Sequence, residues 1–132
     1  MSEQLASLHG KGVSIKRTTL WTNPSPSATF AAQSITLSDD MSNYDEIEIK
    51  GKSFYSGTAE NLVMTTTSAS LLAGNSVMYG TSADSHSVAR VRDIYRYGAD
   101  NKLYVTLCRY TGATTTNNTN AVPTEITGIT IK

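Results

Sequence analysis

Acid–base or nucleophilic catalysis without a cofactor needs a base, an acid or a nucleophile set among polar neighbours, and histidine is the commonest choice. The chain has two, His9 and His86. Ser82, Asp84, Ser85 and His86 hold the side-chain types of a Ser-His-Asp set. Crowded into one loop, they lack the approach from separate elements that such a site uses, so an ordinary polar loop is the expectation. Cys108 is the single cysteine. It excludes an internal disulfide and leaves no thiolate cluster for zinc; a nucleophilic role would need a nearby base and exposure, and a buried strand cysteine is the simpler reading. Glu46 and Glu48 lie two apart on one strand face, roughly 7 Å from each other, a separation at which paired carboxylates can cleave a glycosidic bond. Beside Lys50 they read more simply as a solvated face. Asp39-Asp40 lacks the regular spacing of a calcium loop and fits turn chemistry. Asn117-Asn118-Thr119 matches a glycosylation sequon by letter alone. The expectation is therefore a non-enzymatic chain with no catalytic residue, no metal and no cofactor.

Binding is the chemistry these residues favour. Arg90, Arg92, Arg96 and Arg109 cluster in sequence with Tyr95, Tyr97 and Tyr110, and Arg and Tyr give large contact area at small entropic cost. Tyrosine rings also stack on sugars, so a glycan is a candidate occupant, while an ordinary sheet face or a subunit contact, which favours the same residue types, is the preferred reading. Trp21 joins them as a candidate, with packing against a core preferred at a strand end near Pro24.

Such a face must be positioned by strands. Val13 to Trp21 begins the series, and Asn23-Pro24-Ser25-Pro26-Ser27 must be an extended loop or turn because proline fixes φ and restricts the residue before it. Ile35 to Leu37 follows as a short strand. Tyr44 to Lys50 then alternates Ile47 and Ile49 against Tyr44, Glu46 and Glu48, and Gly51-Lys52 is expected to end it. The middle offers only short candidate strands at Leu62-Val63-Met64, Leu71-Leu72 and Val77-Met78-Tyr79. The clearest signal is a hairpin, Val88 to Tyr97 and Lys102 to Tyr110 around Gly98-Ala99-Asp100-Asn101, with Leu103, Val105 and Leu107 facing the core and Tyr104, Thr106 and Cys108 facing away. Glu125 to Ile131 closes the series. Many short strands and no convincing helix of three turns predict an all-β fold, an antiparallel β-sandwich, jelly-roll-like, over residues 13–132. Residues 1–12 form a short N-terminal connector or docking arm.

The 132 residues suit one domain. Hydrophobic residues make up 39%, a thin supply for a core, so homo-oligomerisation is expected. Eleven basic and eleven acidic residues give zero formal net charge, which removes the long-range field that draws nucleic acid or anionic lipid. No apolar run nears the length of a membrane span and Met1 to Gly10 lacks signal-peptide character, so a product made in the cytoplasm is expected.

Two segments carry a resemblance. Leu20-Trp21-Thr22-Asn23-Pro24-Ser25-Pro26, then Phe30 to Ser38 (Phe-Ala-Ala-Gln-Ser-Ile-Thr-Leu-Ser) and Ser42-Asn43-Tyr44-Asp45, resembles the opening of a domain found in bacteriophage tail and minor structural proteins. Val122-Pro123-Thr124-Glu125-Ile126-Thr127-Gly128-Ile129 resembles its close. The resemblance implies a virion component, a tail fibre, baseplate or head-fibre module, often trimeric, that contacts other virion proteins and has no catalytic residues. The functional expectation is a tail-associated structural protein involved in host attachment. Alternatives are a capsid decoration or head-fibre protein, and a small glycan-binding or glycan-cleaving domain.

Overall fold

The computed structural model describes residues 14–55, 58–81, 90–110 and 121–132. The elements are β1 (Ile15–Thr22), β2 (Gln33–Thr36), a 3-10 turn (Met41–Asn43), β3 (Glu46–Tyr55), β4 (Thr58–Thr67), helix α1 (Ser68–Leu72), β5 (Val77–Thr81), β6 (Arg90–Arg96), β7 (Lys102–Val105), β8 (Arg109–Tyr110) and β9 (Ala121–Ile131). One sheet has the order β1-β9-β3-β4; the other runs β2-β7-β6-β5, with β8 also on β6. Every described pairing is antiparallel. The fold is the expected all-β sandwich. Its outermost wrapping follows the jelly-roll scheme, with the first strand beside the last and β2 beside the late strand β7. The arm expected over residues 1–12 lies outside the described residues.

One hydrophobic cluster fills the space between the sheets. Ile47, Ile49 and Ile126 enter from the first sheet and Ile35, Ile94, Leu103 and Val105 from the second. The alternation of β3 and β7 thus faces the core as the sequence predicts. Leu20 is the extra residue of a bulge where β1 slips against β9 between Thr19 and Trp21. A bulge kinks the strand; here Leu20 is buried, and its neighbour Trp21 also packs on the core.

Four local expectations are corrected. β3 does not stop at Gly51-Lys52 but continues to Tyr55: its register with β9 shifts between Lys50 and Gly51, where Thr124 is the extra residue, and pairing resumes with Gly51 opposite Pro123. Leu71-Leu72 belongs to α1, not to a strand: the Thr67 side chain accepts from the Ser70 N–H at its start, and Gly74, at φ +90°, follows its end. Glu48, expected on a solvated face, is only 7% exposed and is ion-paired with Arg17 and Lys50. Cys108 is buried although Leu107 is only half-buried, because β7 ends at Val105 and the parity of the strand is lost there.

The fold also joins the two segments that carry the resemblance. The buried Asn23 side chain donates to the Pro123 carbonyl (2.9 Å) and accepts from the Ser25 N–H (2.7 Å), while its backbone N–H bonds the Thr124 carbonyl. Asp45 takes the Ile129 carbonyl through its N–H (2.8 Å) and receives the Ile131 N–H on its carboxylate (2.7 Å). Tyr44 lies flat enough on Gly128 that a Cβ there would stand 2.6 Å from its ring. The opening and the close are one structural unit.

Candidate binding face

Strand β6 decides the fate of the Arg–Tyr cluster. Arg92 and Arg96 share a face with Ile94, which is wholly buried; Arg92 turns inward, Arg96 is half-buried at the strand end, and Tyr95 takes the opposite face. Arg92 is fully buried: its guanidinium donates to the Thr106 carbonyl (3.1 Å) and to the Phe30 carbonyl, and lies 5.4 Å from the centre of the Phe30 ring. Phe30 in turn meets Trp21 edge-on at 6.0 Å. Arg92 and Trp21 are therefore parts of one interior chain of contacts that joins β1, the loop after it and β6. Arg92 is not a surface ligand-binding residue. Arg96 donates to the carbonyls of Ala99 (2.8 Å) and Asp100 (3.1 Å), closing the hairpin turn in which Gly98 takes φ +61°. In the β6–β8 ladder Arg90 pairs with Tyr110 and Val91 with Arg109.

The tyrosines come together without the arginines. Tyr95 sits directly opposite Tyr104 in the β6–β7 ladder, and Tyr97 follows on the same side. Ring centres are 5.6 Å apart for Tyr95–Tyr104 and 5.7 Å for Tyr97–Tyr104, tilted by 41° and 31°. Tyr97 is 48% exposed and the other two are half-buried. Ser34 of β2 stands opposite Tyr104, and Met78 of β5, itself exposed, stands opposite Asp93. Tyr104 is the member that sequence reasoning placed on the outward face without including it in the cluster; its register with Tyr95 across a four-residue turn was the available signal.

The other candidates go elsewhere. On the outer face of the first sheet, Glu48 is held by Arg17 (2.9 Å) and Lys50 (3.6 Å), and Lys50 also reaches Glu125 (3.8 Å). This is an ion network across β1, β3 and β9. Asp39 and Asp40 organise the 3-10 turn: Asp40 caps it by accepting the Ser42 N–H (2.9 Å), and Asp39 accepts the Tyr44 hydroxyl (2.7 Å) and the Asn43 amide (3.2 Å). These bonds hold both carboxyls below the ordinary carboxylate value and push the Tyr44 phenol up. A shallow groove of about 250 Å³ lies here, among Lys16, Thr18, Asp39, Tyr44 and Thr130. Ser82, Asp84, Ser85, His86 and His9 fall outside the described residues. Among the described residues no three His, Cys, Asp or Glu side chains gather as a metal site would require, and no helix is long and apolar enough to cross a membrane.

No protein-family model matches the chain, and no curated protein is significantly similar to it in sequence.

Proposed function

We propose that this domain is a structural module of a bacteriophage particle, tail-associated and used for host attachment, whose work is contact and not turnover. The observation that carries the contact reading is the row of three tyrosines on the outer face of β6 and β7, on the side of the strands opposite the core. Rings placed there add nothing to the interior, and aromatic side chains with a polar tip are what recognition surfaces favour. Support for the virion reading is the order-preserving resemblance at both ends of the domain, in segments that the fold ties to each other through Asn23, Asp45 and Gly128. Glu48, engaged by two cations, lends nothing to the glycan-cleaving alternative.

Antibodies raised against the recombinant domain and imaged on purified particles test this reading. Label at the tail is expected. Label confined to the head would replace it with the decoration alternative, and particles without label would overturn the virion assignment.

A further inference from the structure

Resting on the attachment reading, the geometry points to a saccharide chain as the occupant of the tyrosine row: we propose that Tyr95, Tyr104 and Tyr97 form a stacking platform for successive sugar rings across β6 and β7. The face of an aromatic ring is electronegative and takes the C–H face of a pyranose, while the ring's hydroxyl remains free to meet a sugar hydroxyl. Centroid separations of 5.6 and 5.7 Å lie within the roughly 4.5–7 Å of interacting aromatic pairs, so the three rings brace one another as one contiguous aromatic surface. Their tilts of 31° and 41° keep them from a parallel stack and make the surface staggered.

The surroundings favour a sugar over a protein. Along the strands, Asp93 lies two residues before Tyr95 and Lys102 two before Tyr104, and Ser34 stands opposite Tyr104 on β2. A carboxylate and an ammonium thus flank the rings at the roughly 7 Å step of same-face strand residues, and a hydroxyl at the roughly 4.5–5.5 Å of a cross-strand pair, a rim suited to sugar hydroxyls. The area argues the same way. A stable protein contact takes about 800 Å² from each partner, whereas a tyrosine offers at most about 150–250 Å² and only Tyr97 is near half exposed. The platform matches a few sugar rings, held weakly at one site and more firmly when several copies engage one polymer.

The test uses the whole chain on an array of purified bacterial surface polysaccharides, with chitohexaose and maltohexaose followed by saturation-transfer NMR. Binding to at least one glycan is expected, with transfer from tyrosine ring protons to sugar C–H protons. Tyr97→Ala should weaken it at least tenfold, Tyr97→Phe less than threefold, and Arg17→Ala on the other sheet should leave it unchanged, with circular dichroism verifying the fold of each. A blank array, or equal affinity in a folded Tyr97→Ala/Tyr104→Ala variant, overturns the platform. Particle labelling distinguishes the two failures: labelled tails with a blank array leave the virion reading standing without the sugar. Labelled particles that lose adsorption in the double variant with no glycan bound would identify a protein receptor and also end the saccharide proposal.

Discussion

Arg92 converts a charge into structure. Its two donors satisfy the carbonyls of Phe30 and Thr106, in two irregular segments that the sheet ladders do not reach. Replacing it by Leu leaves both carbonyls without this donor in the interior, at a cost of about 3 kcal/mol, which urea unfolding followed by circular dichroism will measure. Arg92→Lys should recover less than half of the loss, since one ammonium on a flexible stem cannot reproduce the planar fork. An unchanged urea midpoint in Arg92→Leu would mean that the guanidinium is dispensable. Gly128 is the second residue whose identity is set by one neighbour. A methyl group there meets the Tyr44 ring at 2.6 Å, so Gly128→Ala should destabilise by about 1–3 kcal/mol. Tyr44→Ala in the same chain removes the obstacle, and a double-mutant cycle should then return a coupling of at least about 0.5 kcal/mol; strict additivity would place the strain elsewhere.

The 3-10 turn is an element held by titratable groups, which makes its stability depend on pH in a direction that can be worked out. The Tyr44 hydroxyl and then the Asp40 N–H lower the Asp39 carboxyl below its ordinary 3.8, and the Ser42 N–H lowers Asp40 likewise. Groups depressed on folding stabilise above their unfolded value and lose that contribution as pH falls through the folded one, so the turn weakens below pH 3.8. Tyr44 is raised above 10.0, first by Asp39 and then by burial, so its contribution holds below pH 10.0 and is lost as pH climbs through the raised value. Spectrophotometric titration, with Tyr44→Phe as the subtracted reference, should place the Tyr44 phenol above 10.0 and bring it back toward that value in Asp39→Asn; identical titrations would remove the hydrogen bond from the account. Asp39-Asp40 was legible as a turn because short carboxylates that bond nearby backbone are turn formers whatever surrounds them. The β6–β7 hairpin and the inward Ile47 and Ile49 were legible for a similar reason, strict alternation beside turn residues. α1 was not: five residues are too few to display a helical period, and adjacent Leu71 and Leu72 fit strand or helix equally. On β6 alternation alone puts Arg90, Arg92 and Arg96 on one face and Tyr95 and Tyr97 on the other, but it does not say which face is inward. Apolar residues occur at both parities there, and only the burial of Ile94 against the opposite sheet decides that Arg92 goes in and Tyr95 comes out.

At the scale of the molecule, the exposed large aliphatic side chains among the described residues share a position. Ile15, Val63 and Met78 are 47%, 61% and 49% exposed, and they lie on β1, β4 and β5, strands at the ends of the sheet orders. Edge strands are templates for pairing, and proteins blunt them with charge or proline. β1 carries Lys16 and Arg17, but β4 from Asn61 to Thr67 has neither a charge nor a proline. The trimer that accompanies the attachment reading would gain most by covering this edge, since burying Val63 contributes about 1.5–3 kcal/mol per copy. Multi-angle light scattering of the wild type should give about three times 14.2 kDa, and a stable monomer at micromolar concentration would sink the constitutive trimer. Val63→Lys puts a charge on the uncharged stretch of β4 without touching the core, so a folded variant should shift toward the monomer mass. If Val63→Lys stays trimeric, β4 is free in the assembly and the contact must be sought on β1 or β5. Because Tyr95 and Tyr104 lie on β6 and β7, inside the second sheet, with Tyr97 next in the chain, association through the free side of β4 in the first sheet would not itself use the tyrosine row.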